Sequence, residues 1–270
     1  KERMLYVHAK LIADRIVKYL KRIDEVEEAV PLGSLRRMSS TIGDIDIAVA
    51  SNDPEKVIEH FVKYPEIKDI ETQGEKMSTV ILGIGAQVDI LVSDPKSFGS
   101  MLQHFTGSKQ HNIKLRQYAL DKGMSLSQYG IKEDGEKKTF KTEEGFYKHL
   151  GLDWIPPEIR EGSDEIELAE KGDLPELIKL EDIKGELHTH TTASDGVASL
   201  EEMVEAAEAK GYEYYGVADH APSVSSRGRY EVLGIVDSTR MRIDKINKKK
   251  DIKVLFGYEV NILKDKTLGM

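Results

Sequence analysis

Hydrophobic and polar positions alternate over residues 44–49, which have the sequence Asp-Ile-Asp-Ile-Ala-Val. Successive side chains of a β-strand point to opposite faces, so this pattern predicts a strand with Asp44 and Asp46 on one face. A second apolar run, residues 86–92, has Asp89 as its only charged residue. An ionised carboxylate inside an apolar strand is costly unless it is paired or binds a metal. The two patterns predict neighbouring strands that bring three carboxylates together.

The other elements of the first half follow from the same periodicities. Apolar residues at three- and four-residue spacing predict a helix over residues 8–22. Pro54 at a first helical position predicts a second helix over residues 54–63. Further predictions are strands at 26–32, 67–72 and 79–83, helices at 95–105, 108–122 and 145–152, and a charged hairpin or loop at 131–145. Together they predict a mixed sheet that a few helices cover.

The pattern changes after residue 153. Residues 154–183 begin with Trp-Ile-Pro-Pro and are acidic and rich in helix breakers, which indicates a solvated interdomain linker. Beyond this segment the predicted elements are a strand at 185–190, a helix at 199–210, a strand that ends at 217–220, and a strand at 254–262. This alternation of strands and helices predicts a parallel barrel with functional residues at the strand ends.

Composition narrows the class of protein. The chain has 270 residues, of which 32% are charged, and a formal net charge of −9. An acidic total argues against a protein that coats DNA non-specifically, but local basic faces and metal ions can still contact DNA. Without cysteine there is neither a disulfide framework nor a thiolate zinc site. No apolar run reaches membrane-spanning length and no signal peptide is visible, so we expect a cytoplasmic protein without membrane contact.

A turn suited to phosphate lies shortly before the two aspartates. Residues 33–37 (Gly-Ser-Leu-Arg-Arg) offer backbone N–H groups, a hydroxyl and guanidinium groups, all of which bind phosphate oxygens. Two carboxylates on one strand face repel each other unless a cation lies between them, and Mg²⁺ shares oxygen ligands with substrate phosphates. An Asp-x-Asp pair alone is usually solvated and has no catalytic role. For the two arginines, the alternative to phosphate binding is a solvated basic turn. The combination with Asp89 is more specific and indicates nucleotidyl transfer on a metal pair.

The second half has a different set of candidate metal ligands. His188 and His190 are two positions apart on a predicted strand, so both imidazoles face the same way. Neutral imidazole binds Zn²⁺, Mn²⁺ and Fe²⁺ well. A His-x-His pair alone is a weak signal, but Asp195, His220 and Glu259 also lie at or near predicted strand ends. This set suits a metal-assisted phosphoesterase.

The sequence resembles the family X DNA polymerases, the group that contains DNA polymerase beta. Residues 33–46 resemble the palm signature of that family, and residues 186–196 resemble the opening of a PHP (polymerase and histidinol phosphatase) metal domain. The segments that resemble the family's thumb are 104–108 (His-Phe-Thr-Gly-Ser), Asn112, Arg116 and 123–130 (Gly-Met-Ser-Leu-Ser-Gln-Tyr-Gly). Palm, thumb and PHP domain in this order are the arrangement of bacterial and archaeal family X polymerases.

The resemblance implies an α+β nucleotidyltransferase palm over residues 1–100 and a mostly helical thumb over 101–153. After the linker at 154–183 it implies the N-terminal part of a PHP phosphoesterase domain over 184–270, of the distorted α/β barrel type. A PHP domain has further strands and ligands beyond the Glu259 motif, and the family also has an N-terminal 5′-phosphate-binding domain and helix-hairpin-helix fingers. We therefore expect the sequence to be a piece of a longer protein.

The resemblance also implies residue roles. Asp44 and Asp46 would bridge two metal ions, and Asp89 would hold the catalytic metal and help to deprotonate the primer 3′-hydroxyl. Asn112 would contact the incoming base, and Arg116 would contact the template side through the minor groove. The residues implied in nucleotide binding are Gly33, Ser34, Arg37, Gly43, His104, Phe105, Gly107 and Asn112. The metal ligands implied for the PHP part are His188, His190, Asp195, His220 and Glu259.

The implied activity is DNA-directed DNA polymerisation in gap-filling repair, by a monomer that uses dNTPs, gapped or primed DNA, and Mg²⁺ or Mn²⁺. The full-length protein would add a PHP-domain 3′–5′ exonuclease or phosphoesterase that uses Zn²⁺ or Mn²⁺. Two alternatives are a PHP hydrolase whose palm holds DNA and an inactive or partner-binding fragment. A third, a template-independent nucleotidyltransferase, is disfavoured by the thumb-like stretch from His104 to Gln128. His104 stands where a tyrosine is common in mammalian members, which leaves sugar discrimination open.

Overall fold

The computed structural model describes residues 3–269, and the chain divides into two compact units, Lys1–Pro175 and Glu176–Met270. The strands of the first unit are β1 (Met4–Leu5), β2 (Glu28–Pro31), β3 (Thr41–Ile42), β4 (Ile45–Ala50), β5 (Ile67–Gln73), β6 (Met77–Leu82), β7 (Gln87–Ser93), β8 (Met124–Ser127), β9 (Gly130–Glu133) and β10 (Glu136–Lys138). Its helices are α1 (Tyr6–Leu20), α2 (Gly33–Arg36), α3 (Pro54–Phe61), α4 (Phe98–Thr106), α5 (Lys109–Asp121), α6 (Glu143–His149) and α7 (Glu165–Lys171). The predicted mixed α/β architecture is confirmed, and the charged segment at 131–145 includes a hairpin of β9 and β10.

The first part of this unit is a five-stranded sheet in the order β2-β4-β7-β6-β5. β4 and β7 are parallel, whereas the other neighbouring strands are antiparallel. One face packs Ile45, Ile47 and Val49 of β4 into a core with α1 and α3. The opposite face packs Ala48 and Ala50 against α4. Strand alternation therefore puts the side chain of the intervening polar residue of β4 on the α4 side of the sheet.

The second part of the unit is built from α5, α6, α7 and the antiparallel sheet β10-β9-β8. Ser108 caps α5, because its hydroxyl accepts a hydrogen bond from the backbone N–H of His111. Residues in the segment predicted as a solvated linker also belong to this core: Ile155, Ile166 and Ala169 are buried in it. The structure differs from the prediction here because the apolar residues of α7 are concealed among acidic ones in the sequence.

A buried ion cluster joins the two parts of the first unit. The carboxylate of Glu143 accepts hydrogen bonds from Arg36 Nη2 at 2.6 Å, Arg160 Nη1 at 2.7 Å and Trp154 Nε1 at 3.2 Å. Burial opposes ionisation, but the charges of Arg160 and Arg36 hold the pKa of Glu143 below its ordinary value. Removing one partner from such a buried ion pair costs about 3–5 kcal/mol. The cluster therefore fixes the α2 turn against α6 and the segment that follows it.

A buried histidine fastens α7 to α5. His111 Nδ1 lies 2.7 Å from Glu165 Oε1, and His111 Nε2 lies 2.9 Å from the Tyr147 hydroxyl. Burial lowers the pKa of His111, so the ring is neutral near pH 7. Burial opposes ionisation of Glu165, but hydrogen bonds from His111, its own N–H and the N–H of Gly162 lower its pKa to about 2. Glu165 is therefore ionised in the folded protein at neutral pH, and its ionisation stabilises the fold.

The second unit contains β11 (Gly185–Thr189), β12 (Tyr214–Val217) and β13 (Lys253–Phe256), which form a parallel sheet in that order. α8 (Leu200–Ala209) and α10 (Arg229–Asn247) pack against this sheet through an apolar core. The remaining elements are a 3₁₀ helix (Leu180–Asp182), α9 (Val224–Arg227) and the short antiparallel pair β14 (Asn261–Ile262) and β15 (Leu268–Gly269). The predicted strand–helix alternation is confirmed at these parallel strands.

The prediction of one strand over residues 254–262 is wrong. β13 ends at Phe256, and Glu259 lies beyond it in a loop, where it forms an isolated parallel bridge with His220. The chain then continues into β14, which pairs with β15 and not with the parallel sheet. The apolar run was misleading because one apolar stretch serves two separate strands.

We expect replacement of Glu165 by glutamine to flatten the pH dependence of stability of the first unit. A carboxylate with a lowered folded-state pKa stabilises the protein above its unfolded-state value, here 4.5, and loses that contribution as pH falls toward about 2. The stabilisation is of the order of 1–3 kcal/mol. Urea unfolding at pH 7 and pH 3, followed by the fluorescence of Trp154, measures it, since this single tryptophan packs against the core of α5, α6 and α7.

The matched control is Glu167→Gln, which changes an exposed carboxylate in the same turn of α7. This control should keep the acid sensitivity of the unsubstituted chain. A Glu165→Gln variant whose stability falls as steeply with acid as that of the control would contradict the assignment.

Candidate active sites

The structure brings Asp46 and Asp89 together in the first unit. Asp46 of β4 is directly opposite Asp89 of β7 in the parallel pairing of these two strands. Neighbouring strands are about 4.8 Å apart, so the two carboxylates share one small region of the sheet. Asp44 precedes β4 by one residue, and all three side chains are partly exposed. The predicted neighbouring strands are thus confirmed, whereas the catalytic role of the three carboxylates stays a prediction.

Two residues that sequence reasoning missed orient Asp89. Thr79 Oγ1 donates a hydrogen bond to Asp89 Oδ1 at 2.5 Å, and Gln87 Nε2 donates to Asp89 Oδ2 at 2.8 Å. Thr79 is opposite Asp89 in the pairing of β6 with β7. These donors satisfy a carboxylate that would otherwise be costly on an apolar strand. Gln87 has a local signal two positions before Asp89, but Thr79 is recognisable only from the strand register.

The Gly-Ser turn lies over Asp46. The backbone N–H of Leu32 donates to the carbonyl oxygen of Asp46 at 2.8 Å. Gly33 has φ +57°, and a Cβ atom there would lie 3.0 Å from Asp46 Oδ2. A side chain at this position would meet both backbone strain and the carboxylate, so only glycine fits well. Gly43 is also closely approached, because a Cβ atom there would lie 3.2 Å from Arg3 Nη1. Ser34 follows in α2 and is partly exposed.

The two arginines of the turn are mostly buried and hydrogen-bonded, which contradicts the alternative of a solvated basic turn. Arg37 Nη1 donates to the carbonyl oxygen of Thr106 at 2.6 Å, and Arg36 Nη1 donates to the Thr106 hydroxyl at 2.6 Å. The side chains of Arg36 and Arg37 are 17% and 15% exposed. Gly107 has φ +71°, and a Cβ atom there would lie 3.2 Å from Arg37 Nη1. The turn and the end of α4 therefore form one assembly with two fixed positive charges.

The predicted base-contacting residues lie at the junction of α4 and α5. Asn112 Nδ2 donates to the carbonyl oxygen of His104 at 2.7 Å. The rings of His104 and Phe105 meet edge to face with centroids 4.8 Å apart. Burial, together with the charge of Arg116, lowers the pKa of His104. Asn112 is partly buried and Arg116 is exposed, so the alternative of a wholly exposed polar helix face applies to Arg116 alone of these two.

Five side chains converge in the second unit. His188 Nε2 and His190 Nε2 each lie 3.1 Å from Glu259 Oε2. His190 Nδ1 lies 2.7 Å from Asp195 Oδ1, and His220 Nε2 lies 3.4 Å from Asp195 Oδ2. The structure thus brings together every ligand predicted for this site, from β11, the loop after it, the segment after β12 and the loop after β13.

These side chains form two overlapping groups of potential metal ligands. His188, His190 and Glu259 form one group, and His190, Asp195 and His220 form the other; within each, the ligand atoms lie within 4.8 Å of one another. The hydrogen bond to Asp195 raises the pKa of His190, and the same bond lowers the pKa of Asp195. Imidazole and carboxylate donors in this mixture fit Zn²⁺ or Mn²⁺. Because His190 belongs to both groups, it is the central residue of the cluster.

Asp219 supports this cluster and was not selected from the sequence. Its carboxylate is almost fully buried and accepts hydrogen bonds from Thr191 N at 2.6 Å, Thr191 Oγ1 at 2.7 Å and Ser194 Oγ at 2.6 Å. These bonds anchor the loop that carries Asp195. The only sequence signal for this role is the position of Asp219 beside His220 at the end of an apolar strand.

Within residues 3–269, the structure contains no helix that is long and apolar enough to cross a membrane.

Two parts of the chain match family models. Residues 101–161 match the DNA polymerase beta thumb, and residues 186–268 match the PHP domain. The first match extends past residue 153, in agreement with the burial of Ile155 in the same core.

The chain is also similar to curated proteins. It is 39% identical over 272 residues to the DNA polymerase/3′-5′ exonuclease PolX of Bacillus subtilis, a match that covers 99% of this chain and 47% of that protein. It is 38% identical over 78 residues to the DNA-directed DNA/RNA polymerase mu of Homo sapiens (27% of this chain, 16% of that protein). It is 26% identical over 140 residues to a repair DNA polymerase X of African swine fever virus (48% and 80%). The chain thus spans about half the length of the Bacillus relative.

We expect His190→Ala to reduce Mn²⁺ or Zn²⁺ binding by the second unit more than His220→Ala does. His190 contributes to both groups of ligands, whereas His220 contributes to one. Equilibrium dialysis of the full chain with Zn²⁺ should show the affinity fall by about tenfold or more for His190→Ala. His8→Ala, which removes an exposed histidine of α1, is the control and should bind like the unsubstituted chain. Equal losses for His190→Ala and His8→Ala would show that the cluster is not the binding site.

Proposed function

Because the chain belongs to the family X DNA polymerases that carry a PHP domain, we propose that it adds deoxynucleoside monophosphates to a primer 3′-hydroxyl under the direction of a DNA template. The observation that carries the proposal is the pairing of Asp46 with Asp89 under a turn that only glycine fits at residue 33. The two carboxylates can bind metal ions, and the backbone N–H and guanidinium groups of the neighbouring turn can donate hydrogen bonds to phosphate oxygens. We propose gap filling in DNA repair as the cellular use of this reaction.

Asp44, Asp46 and Asp89 would hold Mg²⁺ or Mn²⁺ in this proposal. The donor set fits, because three carboxylates supply the oxygen ligands that these hard cations prefer. When bound, the metals would lower the pKa of the primer 3′-hydroxyl and neutralise negative charge on the phosphate that is transferred. Thr79 and Gln87 keep the carboxylate of Asp89 in a fixed orientation. The chain's own contribution is therefore preorganisation of negative charge on a rigid sheet.

The Gly-Ser turn and the start of α5 would bind the nucleotide. Arg37 is held by the carbonyl oxygen of Thr106, so its positive charge is fixed before the triphosphate arrives. Ser34 would add a hydroxyl donor, and Asn112 would contact the base. The remaining residues that we assign to nucleotide binding are Gly33, Gly43, His104, Phe105 and Gly107. Arg116, exposed on α5, would contact the DNA on the template side.

The proposal includes the domain arrangement and the setting predicted from the sequence. We assign residues 1–100 to the palm, 101–153 to the thumb and 184–270 to the PHP part. Residues 154–183, some of which pack in the thumb core, form the connection. The partners are gapped or primed DNA and dNTPs, and a monomer is sufficient because the three carboxylates come from one chain. Because DNA is the substrate, we place the protein in the cytoplasm.

A second activity is supported by the five converging side chains of the second unit. His188, His190, Asp195, His220 and Glu259 would hold Zn²⁺ or Mn²⁺, which when bound supply an activated water for phosphoester hydrolysis. Asp219 would keep the loop of Asp195 in place. We propose that, in the full-length protein, this part removes nucleotides from DNA 3′ ends. The name of the Bacillus relative includes a 3′-5′ exonuclease, which supports this proposal.

Primer extension on a duplex with a one-nucleotide gap tests the polymerase. With Mg²⁺ or Mn²⁺, we expect template-directed incorporation by the unsubstituted chain and a loss of at least about 10³-fold in the Asp44→Ala/Asp46→Ala variant, because charge stabilisation at the transferring phosphate is lost. The matched control is Asp69→Ala/Glu71→Ala, which removes two exposed carboxylates from β5 of the same sheet. Incorporation that survives in the Asp44→Ala/Asp46→Ala variant would exclude these carboxylates.

Degradation of a labelled 3′ end tests the second activity. In the full-length protein, we expect Mn²⁺-dependent shortening to disappear in the His188→Ala/His190→Ala variant while primer extension is retained, because the two clusters are separate sets of residues in different units. Shortening that depends instead on Asp46 would assign both reactions to the first unit. A chain that shortens DNA but never extends it would make the hydrolase its main activity.

A further inference from the structure

The amide of Asn112 is held at both of its polar atoms. Its Nδ2 donates to the carbonyl oxygen of His104 at 2.7 Å, and its Oδ1 accepts from Gln103 Nε2 at 2.8 Å. A backbone carbonyl can only accept, so Nδ2 must point toward His104 and Oδ1 must point toward Gln103. The orientation of this amide is therefore set by its partners. One of the two Nδ2 hydrogens remains for another acceptor.

Gln103 is buried, with 3% of its surface exposed, and lies on α4 beside the junction with α5. Burial raises the pKa of the Tyr147 hydroxyl, and the neighbouring Gln103 side chain opposes this rise. The Tyr147 hydroxyl contacts His111, and His111 contacts Glu165. A continuous chain of polar groups thus runs from Asn112 through the core of the first unit to the start of α7.

Both ends of this chain have a fixed polarity. Glu165 is ionised and can only accept, so His111 donates from Nδ1 and accepts the hydroxyl hydrogen of Tyr147 at Nε2. Tyr147 has then donated its one hydrogen and can only accept from Gln103. Gln103 Nε2 carries two hydrogens, and one of them is donated to Asn112 Oδ1. A reversed Gln103 would place its carbonyl oxygen against Asn112 Oδ1, so that two acceptors would face each other and the bond would be lost.

We propose that Gln103 is a positioning residue for the incoming nucleotide, which acts by fixing the amide of Asn112. With Oδ1 tied to Gln103, Asn112 presents N–H and not C=O to a base. The minor-groove edges of all four bases carry an acceptor, purine N3 or pyrimidine O2, at equivalent places. A fixed N–H donor therefore recognises a correctly placed base pair whatever its sequence. This inference rests on the proposed polymerase function and on the contact between Asn112 and the base.

The test measures equilibrium binding of dNTP to the full chain on a one-nucleotide gapped duplex with a dideoxy-terminated primer and Mg²⁺. Gln103→Leu should weaken binding of the complementary dNTP about tenfold. The weakening should vanish for a 3-deazapurine nucleotide, which lacks the minor-groove acceptor. Gln103→Glu keeps the shape but faces Asn112 with an acceptor, so we expect at least as large a loss. Trp154 fluorescence on thermal unfolding checks that both variants are folded.

A double-mutant cycle with Asn112→Ala separates positioning from general packing. In the Asn112→Ala background, Gln103→Leu should cause no further loss of affinity, since the residue that it positions is gone. Gln117→Leu is the matched control, because Gln117 lies on α5 but hydrogen-bonds to the exposed Asp121. This control should leave dNTP affinity unchanged.

Three outcomes overturn the proposal. Unchanged dNTP affinity in folded Gln103→Leu and Gln103→Glu excludes positioning by Gln103. Independent, additive losses for Gln103→Leu and Asn112→Ala show that Gln103 acts through packing and not through Asn112. Absence of dNTP binding by the unsubstituted chain on the gapped duplex refutes the proposed function itself, and the inference with it.

Discussion

The parallel pairing of β4 with β7 is the constraint on which the first site depends. It sets Asp46 opposite Asp89, and a shift of one residue would turn one of the two carboxylates to the apolar face that packs on α1 and α3. That apolar face enforces the register, because Ile45, Ile47 and Val49 are fully buried. The core and the candidate active site are therefore two sides of one sheet, and stabilising the first positions the second.

A second constraint is the ion cluster at Glu143. It connects Arg36, in the turn over Asp46, with Arg160, which follows α6 in the chain. Loss of the Glu143 carboxylate would leave the buried guanidinium group of Arg160 without its ion-pair partner. Glu143 thus makes the orientation of the Gly-Ser turn depend on residues more than a hundred positions away in the sequence. Arg37, through Thr106, adds a shorter connection to the same place.

The second unit shows another way of building a site. Its five candidate ligands come from strand ends and loops, and their geometry rests on a buried support, Asp219, which anchors the loop of Asp195. Ligands on loops need such support because loops have few packing contacts of their own. Glu259 reaches the cluster from a loop, where its backbone forms a bridge with His220 and its carboxylate contacts His188 and His190.

The sequence by itself predicted most strands, most helices and the candidate acidic and histidine ligands, because periodicity and residue chemistry are local properties. It missed the loop position of Glu259 and the burial of α7, since an apolar run cannot reveal where a strand ends or what covers a helix. Only the tertiary structure decided that Thr79 supports Asp89 and that Arg36 is paired with Glu143. The same holds for the orientation of the Asn112 amide by Gln103. These facts depend on strand register and on contacts between distant segments, which residue spacing along the chain does not encode.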